Sequence, residues 1–303
     1  MPSVRSLCLL SILCMPVATL APPQRPEIQG IALVRLRVSD MKAAQHFYHE
    51  IVGLYALENA GGQGAADDST VYFLNRDQRV ELVPGVPSGD ANAVDTVGFQ
   101  VSNVKQMRKY LVARGQKCGG VKNTKSGDQY LEAVDPENHR IWFVSWAKPA
   151  DPLPGFTRTE HLIHAGFIVR NRSAEDHFYK DLLGFHVYWQ GGRTEGETLW
   201  AAMQVPDGTD WLEYMLSIPA NPDAHTRGVQ DHISIGTEDI HQKDKQLIAN
   251  GWKPSEEPKI GLDGKWQLNL FDPDQTRVEF MEFTPVQKPC CSPFVGPQPS
   301  PKN

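Results

Sequence analysis

Cysteine is scarce in this chain. Of five in 303 residues, Cys8 and Cys14 lie near the start, Cys290 and Cys291 lie together near the end, and only Cys118 falls between. That distribution supplies no disulfide framework and no thiolate cluster for a closed structural zinc site. Long hydrophobic runs are missing as well. The run from Leu7 to Met15 is too short to span a bilayer, so no membrane span is expected. An excess of basic charge is equally absent: 30 Lys and Arg against 36 Asp and Glu leave a net charge of −6. Nucleic acid and anionic membrane therefore find no electrostatic partner here. With 40% hydrophobic and 22% charged residues, the composition is that of a soluble globular protein, long enough for two ordinary domains.

The ends and the middle have their own character. Arg5, the apolar run, and the small residues Ala18 and Ala21 follow the three-part layout of a secretory signal peptide over residues 1–21, which predicts an exported (periplasmic or secreted) protein. Around the midpoint, SWAKPADPLPGFTRTE carries three prolines and reads as an exposed linker (148–160) between domains at 30–147 and 161–284. The stretch 285–303 holds little that packs and reads as a disordered tail.

What the chain does contain is repetition. VSDMKAAQHFYHEIVGL from Val38 returns as VRNRSAEDHFYKDLLGF from Val169, an offset of 131 residues. VSNVKQMRKYLVARG from Val101 returns as TEDIHQKDKQLIANG from Thr237, and VDPENHRIWF from Val134 as FDPDQTRVEF from Phe271, at offsets of 136 and 137. Each unit must then bury its apolar face against a sibling. In the first unit, alternation from Ile31 to Val38 predicts a strand, Ser39 or Asp40 caps a helix, and Gly53 ends it. Thr70–Leu74 and Arg79–Val83 then read as a hairpin turning at Asn75–Asp77. Three further units start near Val97, Leu162 and His232. The prediction is an α+β protein of four βαβββ modules, paired into two domains with cup-shaped mixed sheets.

The two halves differ in their chemistry. His164, Glu213, His232 and Glu279 stand at strand positions of the second half; the matching residues of the first are Leu33, Glu81, Thr96 and Trp142. Two imidazoles and two carboxylates suit a divalent ion such as Zn, Ni, Fe, Mn or Co, with positions left for water or substrate. Taken singly, each has a plainer explanation. A histidine on a buried strand is usually a hydrogen-bonded core residue, and Glu213, Glu279 and Glu81 read as solvent-facing positions of alternating strands. Four such residues at equivalent points of four strands argue instead for one metal site, in the C-terminal half only, with modules three and four pairing inside one chain. Arg193, Trp200 and Trp211 are candidates for its pocket wall.

The repeated βαβββ units, the helix ends HFYHEIVGL and HFYKDLLGF, and the strand entries VDPENHR and FDPDQTRVE resemble the vicinal oxygen chelate superfamily, which includes glyoxalase I, extradiol dioxygenases and the bleomycin- and fosfomycin-resistance proteins. The resemblance implies metal ligation by His164, Glu213, His232 and Glu279, the His, Glu, His, Glu pattern of bacterial glyoxalase I-like enzymes. It also implies proton transfer next to a carbonyl of a small-molecule substrate, with Glu279 or Glu213 as base, by a lyase or isomerase acting as monomer or homodimer. His164, His232 and Glu279 alone fit the facial triad of the Fe(II) extradiol dioxygenases. That family's signature places Tyr three residues before the Asp-Pro, where this chain has Asn269. A non-catalytic binding or resistance protein is the reading from another class.

Overall fold

The computed structural model describes residues 23–56, 69–86, 93–124, 127–147 and 159–301. The expected signal segment and nearly all of the linker lie outside the described residues. The first unit holds β1 (Ile28–Val38), α1 (Met41–Gln45), β2 (Thr70–Phe73) and β3 (Arg79–Pro84); the second holds β4 (Val94–Val101), α2 (Val104–Ala113), β5 (Lys122–Asn123), β6 (Gln129–Val134) and β7 (Arg140–Ser145). The third holds β8 (His161–Ile168), α3 (Arg172–Asp176), β9 (His186–Gly191), β10 (Trp200–Gln204) and β11 (Trp211–Met215). After α4 (Ala224–Gln230), the fourth holds β12 (His232–Thr237), α5 (Ile240–Ala249), β13 (Lys259–Ile260), β14 (Trp266–Phe271) and β15 (Arg277–Glu282). Among the described residues the first unit has two strands after its helix, with Tyr55 bridging to Phe73 where a third would begin.

Local chemistry sets these elements. Asp40, Asn103, Asn171 and Asp239 each accept a hydrogen bond from the backbone three residues on, capping α1, α2, α3 and α5. Gly53 and Gly184 leave their helices at φ 79° and 82°, a conformation a side chain would strain. One feature departs from expectation: α1 and α3 continue as wide π turns, His46–Ile51 and His177–Leu182, which carry the repeated HFY.

Each half forms one curled mixed sheet. The orders are β2-β3-β1-β4-β7-β6-β5 and β13-β14-β15-β12-β8-β11-β10-β9, the same sequence of strands with β9 added at one edge. At each centre the first strands of two adjacent modules run antiparallel, β1 with β4 and β8 with β12. Module three therefore pairs with module four, as expected. The registers also verify the alignment of the halves: Arg35 opposes Thr96 where Gly166 opposes His232, and Leu33 opposes Gly98 where His164 opposes Ser234.

The repeated motifs hold the two halves to each other. Tyr48, in the first HFY, donates to Oδ2 of Asp272 at 3.0 Å, and Tyr179, in the second, donates to Oδ2 of Asp135 at 3.0 Å. Each Asp-Pro turn thus grips a helix of the opposite half. Removing the hydroxyl leaves a buried carboxylate short of a donor, so Tyr48→Phe and Tyr179→Phe are each expected to lower unfolding free energy by about 2 kcal/mol. Urea denaturation, read as a lowered midpoint at unchanged slope, checks this.

The tail corrects the expectation of disorder. Residues 285–301 contain no helix or strand, yet they lie against the C-terminal sheet. Val295 N donates to Tyr188 O at 2.8 Å, Trp189 Nε1 to Cys290 O at 3.2 Å, and Phe294 packs on Tyr188 with ring centroids 4.8 Å apart. Bonds to backbone groups, together with the packing of Phe294 and Cys290, hold this proline-rich segment in place. The neighbouring Cys290 and Cys291 are joined as a disulfide, while Cys118 is free.

Candidate metal centre

Strand register places the four predicted side chains in one cup. In the parallel pair β8 and β11, Trp211 opposes His164 and Glu213 opposes Gly166; in β12 and β15, Ser234 opposes Glu279. Side chains two residues apart share a face, so His164, Glu213, His232 and Glu279 all project to the same side. His164 Nε2 lies 3.0 Å from His232 Nε2, 3.2 Å from Glu279 Oε2 and 3.9 Å from Glu213 Oε2. His232 Nε2 lies 3.2 Å from Glu213 Oε2. Both glutamates are largely buried, 15% and 4% exposed at the side chain, unlike the solvent-facing residues that each resembles when taken singly.

The donor set fits a divalent ion. The carbonyl of Gln230 lies 2.8 Å from Nδ1 of His232 and accepts a hydrogen bond from it, leaving the Nε2 lone pair aimed into the cup. Two ring nitrogens facing each other at 3.0 Å need a cation or a proton between them. Burial, then Arg277, push the His232 pKa down to about 4, the neutral form a ligand must have. For Glu279 burial acts upward, but the hydrogen bond with His164 and the charge of Arg277 overcome it and hold the carboxyl at about 2. Glu213 is also held low, burial being outweighed by His232 and His164.

These values carry a sign for stability. Unfolded, His232 takes a proton below its ordinary value of 6.5; folded, it does so only below about 4. Between those values the unfolded state binds more protons, so stability falls as pH falls through the window. Metal-stripped protein is expected to show a decreasing thermal midpoint from pH 6.5 to pH 4, and His232→Gln a flatter profile, by calorimetry across that range.

A cavity of about 380 Å³ opens beside Glu213 and Glu279, within the range of small-ligand sites. Trp200 and Trp211 line it, as expected, together with Tyr188, Trp189, Met281 and Phe294. Arg193 does not. It sits in an exposed turn with its backbone N bonded to Glu197 at 2.9 Å, because its loop is tied to itself rather than folded over the cup. Sequence reasoning missed Arg277, which lines the cavity 4.0 Å from Glu213 and whose buried Nε has no partner. The signal was present, since Arg277 lies two residues before Glu279 on the same strand face. It also missed Lys265, fully buried among Tyr188, Trp211 and Phe294, where burial lowers its pKa to about 8.

The first half shows what replaces the site. Arg35, at the place of Gly166, sets its Nε 3.3 Å from Glu81 Oε2 and its guanidinium 4.9 Å from the Trp142 ring centre. Glu81 is 1% exposed, so it is corrected from a solvent-facing residue to a buried ion-pair partner. With Leu33, Thr96 and Trp142 at the remaining places, the four equivalent positions offer one carboxylate, already matched by a fixed cation.

Comparison with known proteins follows the same division. The family model of the glyoxalase/bleomycin resistance protein/dioxygenase superfamily matches residues 30–143 and again 161–280. The chain belongs to this superfamily. Among solved structures of the superfamily's fold, the 2,3-dioxygenase LapB from Pseudomonas sp. KL28 is similar at TM-score 0.65 and 14% identity, over 89% of this chain and 98% of that one. Homoprotocatechuate 2,3-dioxygenase from Arthrobacter globiformis matches at 0.64 and 17%, over 88% and 84%. The Brevibacterium fuscum enzyme, in complex with 3,4-dihydroxyphenylacetate, matches at 0.63 and 18%, over 86% and 82%. No curated protein matches the sequence. Among the described residues, no helix is long and apolar enough to cross a membrane.

Proposed function

We propose that the C-terminal domain is a metal-dependent enzyme of the glyoxalase type, a lyase or isomerase that moves a proton next to a carbonyl of a small oxygenated substrate. His164, Glu213, His232 and Glu279 are its ligands for Zn, Ni, Fe, Mn or Co. The observation that carries this reading is the fourth donor: Glu213 faces both imidazoles, giving the cup one carboxylate more than a facial triad needs. When bound, the ion polarises the two neighbouring substrate oxygens. Glu213, less buried than Glu279 and bordering the cavity, takes the proton from carbon and returns it. Arg277 faces the oxygen on which negative charge gathers. The Trp200, Trp211 and Phe294 walls hold the substrate's body and exclude water.

The test is exchange of a carbon-bound hydrogen with D2O, followed by NMR on a panel of hydroxy ketones and aldehydes with each metal in turn. Glu213→Gln is expected to lower the exchange rate by about 10²- to 10⁴-fold. Metal content, measured alongside, separates loss of the base from loss of the ion.

An Fe(II) extradiol-type dioxygenase is the second reading, favoured by the ring-cleaving activity named for the structural neighbours and by the aromatic walls of the cavity. Against it, buried Asn269 stands where that family's Tyr would, and a carboxamide is no proton donor of comparable acidity. Oxygen uptake with catechols by Fe(II)-loaded protein, without hydrogen exchange, would decide for the dioxygenase. Ligand binding without metal or turnover would mark a sequestering protein.

A further inference from the structure

The two Tyr–Asp junctions between the halves are related by the internal repeat, and only one of them carries additional metal-binding side chains. At the first, Tyr48 meets Asp272, with Thr276 four residues past the aspartate and Ala44 on the helix. At the second, Tyr179 meets Asp135, and His139 and Glu175 occupy the places of Thr276 and Ala44. Ligand atoms of Asp135, His139 and Glu175 all lie within 4.8 Å of one another. We propose that Asp135, His139 and Glu175 form a second divalent-cation site, joining the two halves at the junction and independent of the cup.

Three observations carry it. First, docking does not need these residues, since the Tyr–Asp bond is 3.0 Å at both junctions. Second, Glu175 is fully buried on α3, and while its Oε1 accepts from Glu137 N at 3.0 Å, its Oε2 meets no donor. It lies beside Asp135, with which Glu175 shares the Glu137 N–H as a donor through its other oxygen, so Oε2 is the atom left open to a proton or a cation. Third, the set is completed by an imidazole: His139 Nδ1 lies 2.7 Å from Asp135 Oδ2, and its ring is stacked on Phe167 at 4.1 Å between centroids, which fixes its orientation. One nitrogen and two carboxylates suit Zn²⁺ or Mn²⁺. Asp135 already accepts from the backbone N of Glu137 and His139, so its position is set before any ion arrives.

The experiment uses the full chain, stripped by chelator and dialysed against Zn²⁺, with bound metal measured by elemental analysis. The wild type is expected to hold two ions. The double variant Glu175→Ala with His139→Thr recreates the junction already present at Ala44 and Thr276, so it is expected to fold, and to hold one. His164→Ala with His232→Ala is expected to retain one ion, and all four substitutions together none. Loss of metal from the cup variant alone speaks to the proposed activity, whereas loss from the junction variant alone speaks to this site. The inference is overturned if Glu175→Ala with His139→Thr leaves the stoichiometry unchanged in the wild-type background, or if the cup variant binds nothing. As a second readout, Zn²⁺ is expected to raise the thermal midpoint of the cup variant, and to have no such effect once the junction residues are replaced.

Discussion

Replacing His232 or Glu279 with alanine is expected to empty the C-terminal cup and abolish turnover, with cup-bound metal falling at least about tenfold, because each removes a donor from a buried set of four. Glu81→Ala is the matched control. It deletes the carboxylate equivalent to Glu213, yet should leave metal content and activity as in the wild type. Its effect should instead be on stability, a loss on the order of 3 kcal/mol, since the substitution takes the carboxylate from beside the buried Arg35 guanidinium. Elemental analysis, activity and urea denaturation on the three variants check the pattern. An equal loss of metal in Glu81→Ala would show that the two cups do not divide their roles as described.

The second large effect concerns a residue with no side chain. A Cβ on Gly166 would stand 2.1 Å from Cε1 of His232 and 2.4 Å from its Nδ1, and that Nδ1 is tied to the Gln230 carbonyl. The imidazole cannot give way without leaving the cup. Gly166→Ala is therefore expected to cost about 1–3 kcal/mol in folding through overpacking and to weaken metal binding as severely as loss of a ligand. Isothermal titration of stripped protein with Zn²⁺ measures the second effect. A variant that binds as tightly as wild type would mean that the His232 ring is not confined by Gly166.

Much of this arrangement was legible in the sequence, for physical reasons. The four-unit architecture followed from the offsets between HFY and Asp-Pro segments, and the convergence of His164, Glu213, His232 and Glu279 from their positions on equivalent strands. Period-two alternation fixes which side of a strand a residue faces, so ligands could be aligned without knowing the fold in detail. What alternation cannot show is whether that side meets solvent. Glu81 and Glu279 have the same local pattern as exposed residues, and only the closing of the sheet into a cup buries them. Arg35 escaped notice for a related reason: its meaning lies in the contrast with Gly166, a position that carries no chemistry of its own. The tail misled because composition reports the lack of an apolar face, not the backbone hydrogen bonds that hold Val295 and Cys290 against the sheet. Phe294 then enters the cavity wall from a segment that looked unstructured.

The crossed Tyr–Asp junctions give the metal-free half a task. Asp272 accepts from the backbone of Asp274 and Thr276, shaping the turn that launches β15, and its other oxygen is held by Tyr48 from the opposite half. Seven residues beyond Asp272, that strand delivers Glu279 to the cup. The N-terminal half thus works as a splint for a ligand it does not possess. A chain shortened to its chemically competent half would keep every donor and lose the brace on one of them, so damage at Tyr48 should surface as poor metal retention in a cup belonging to the other half of the chain.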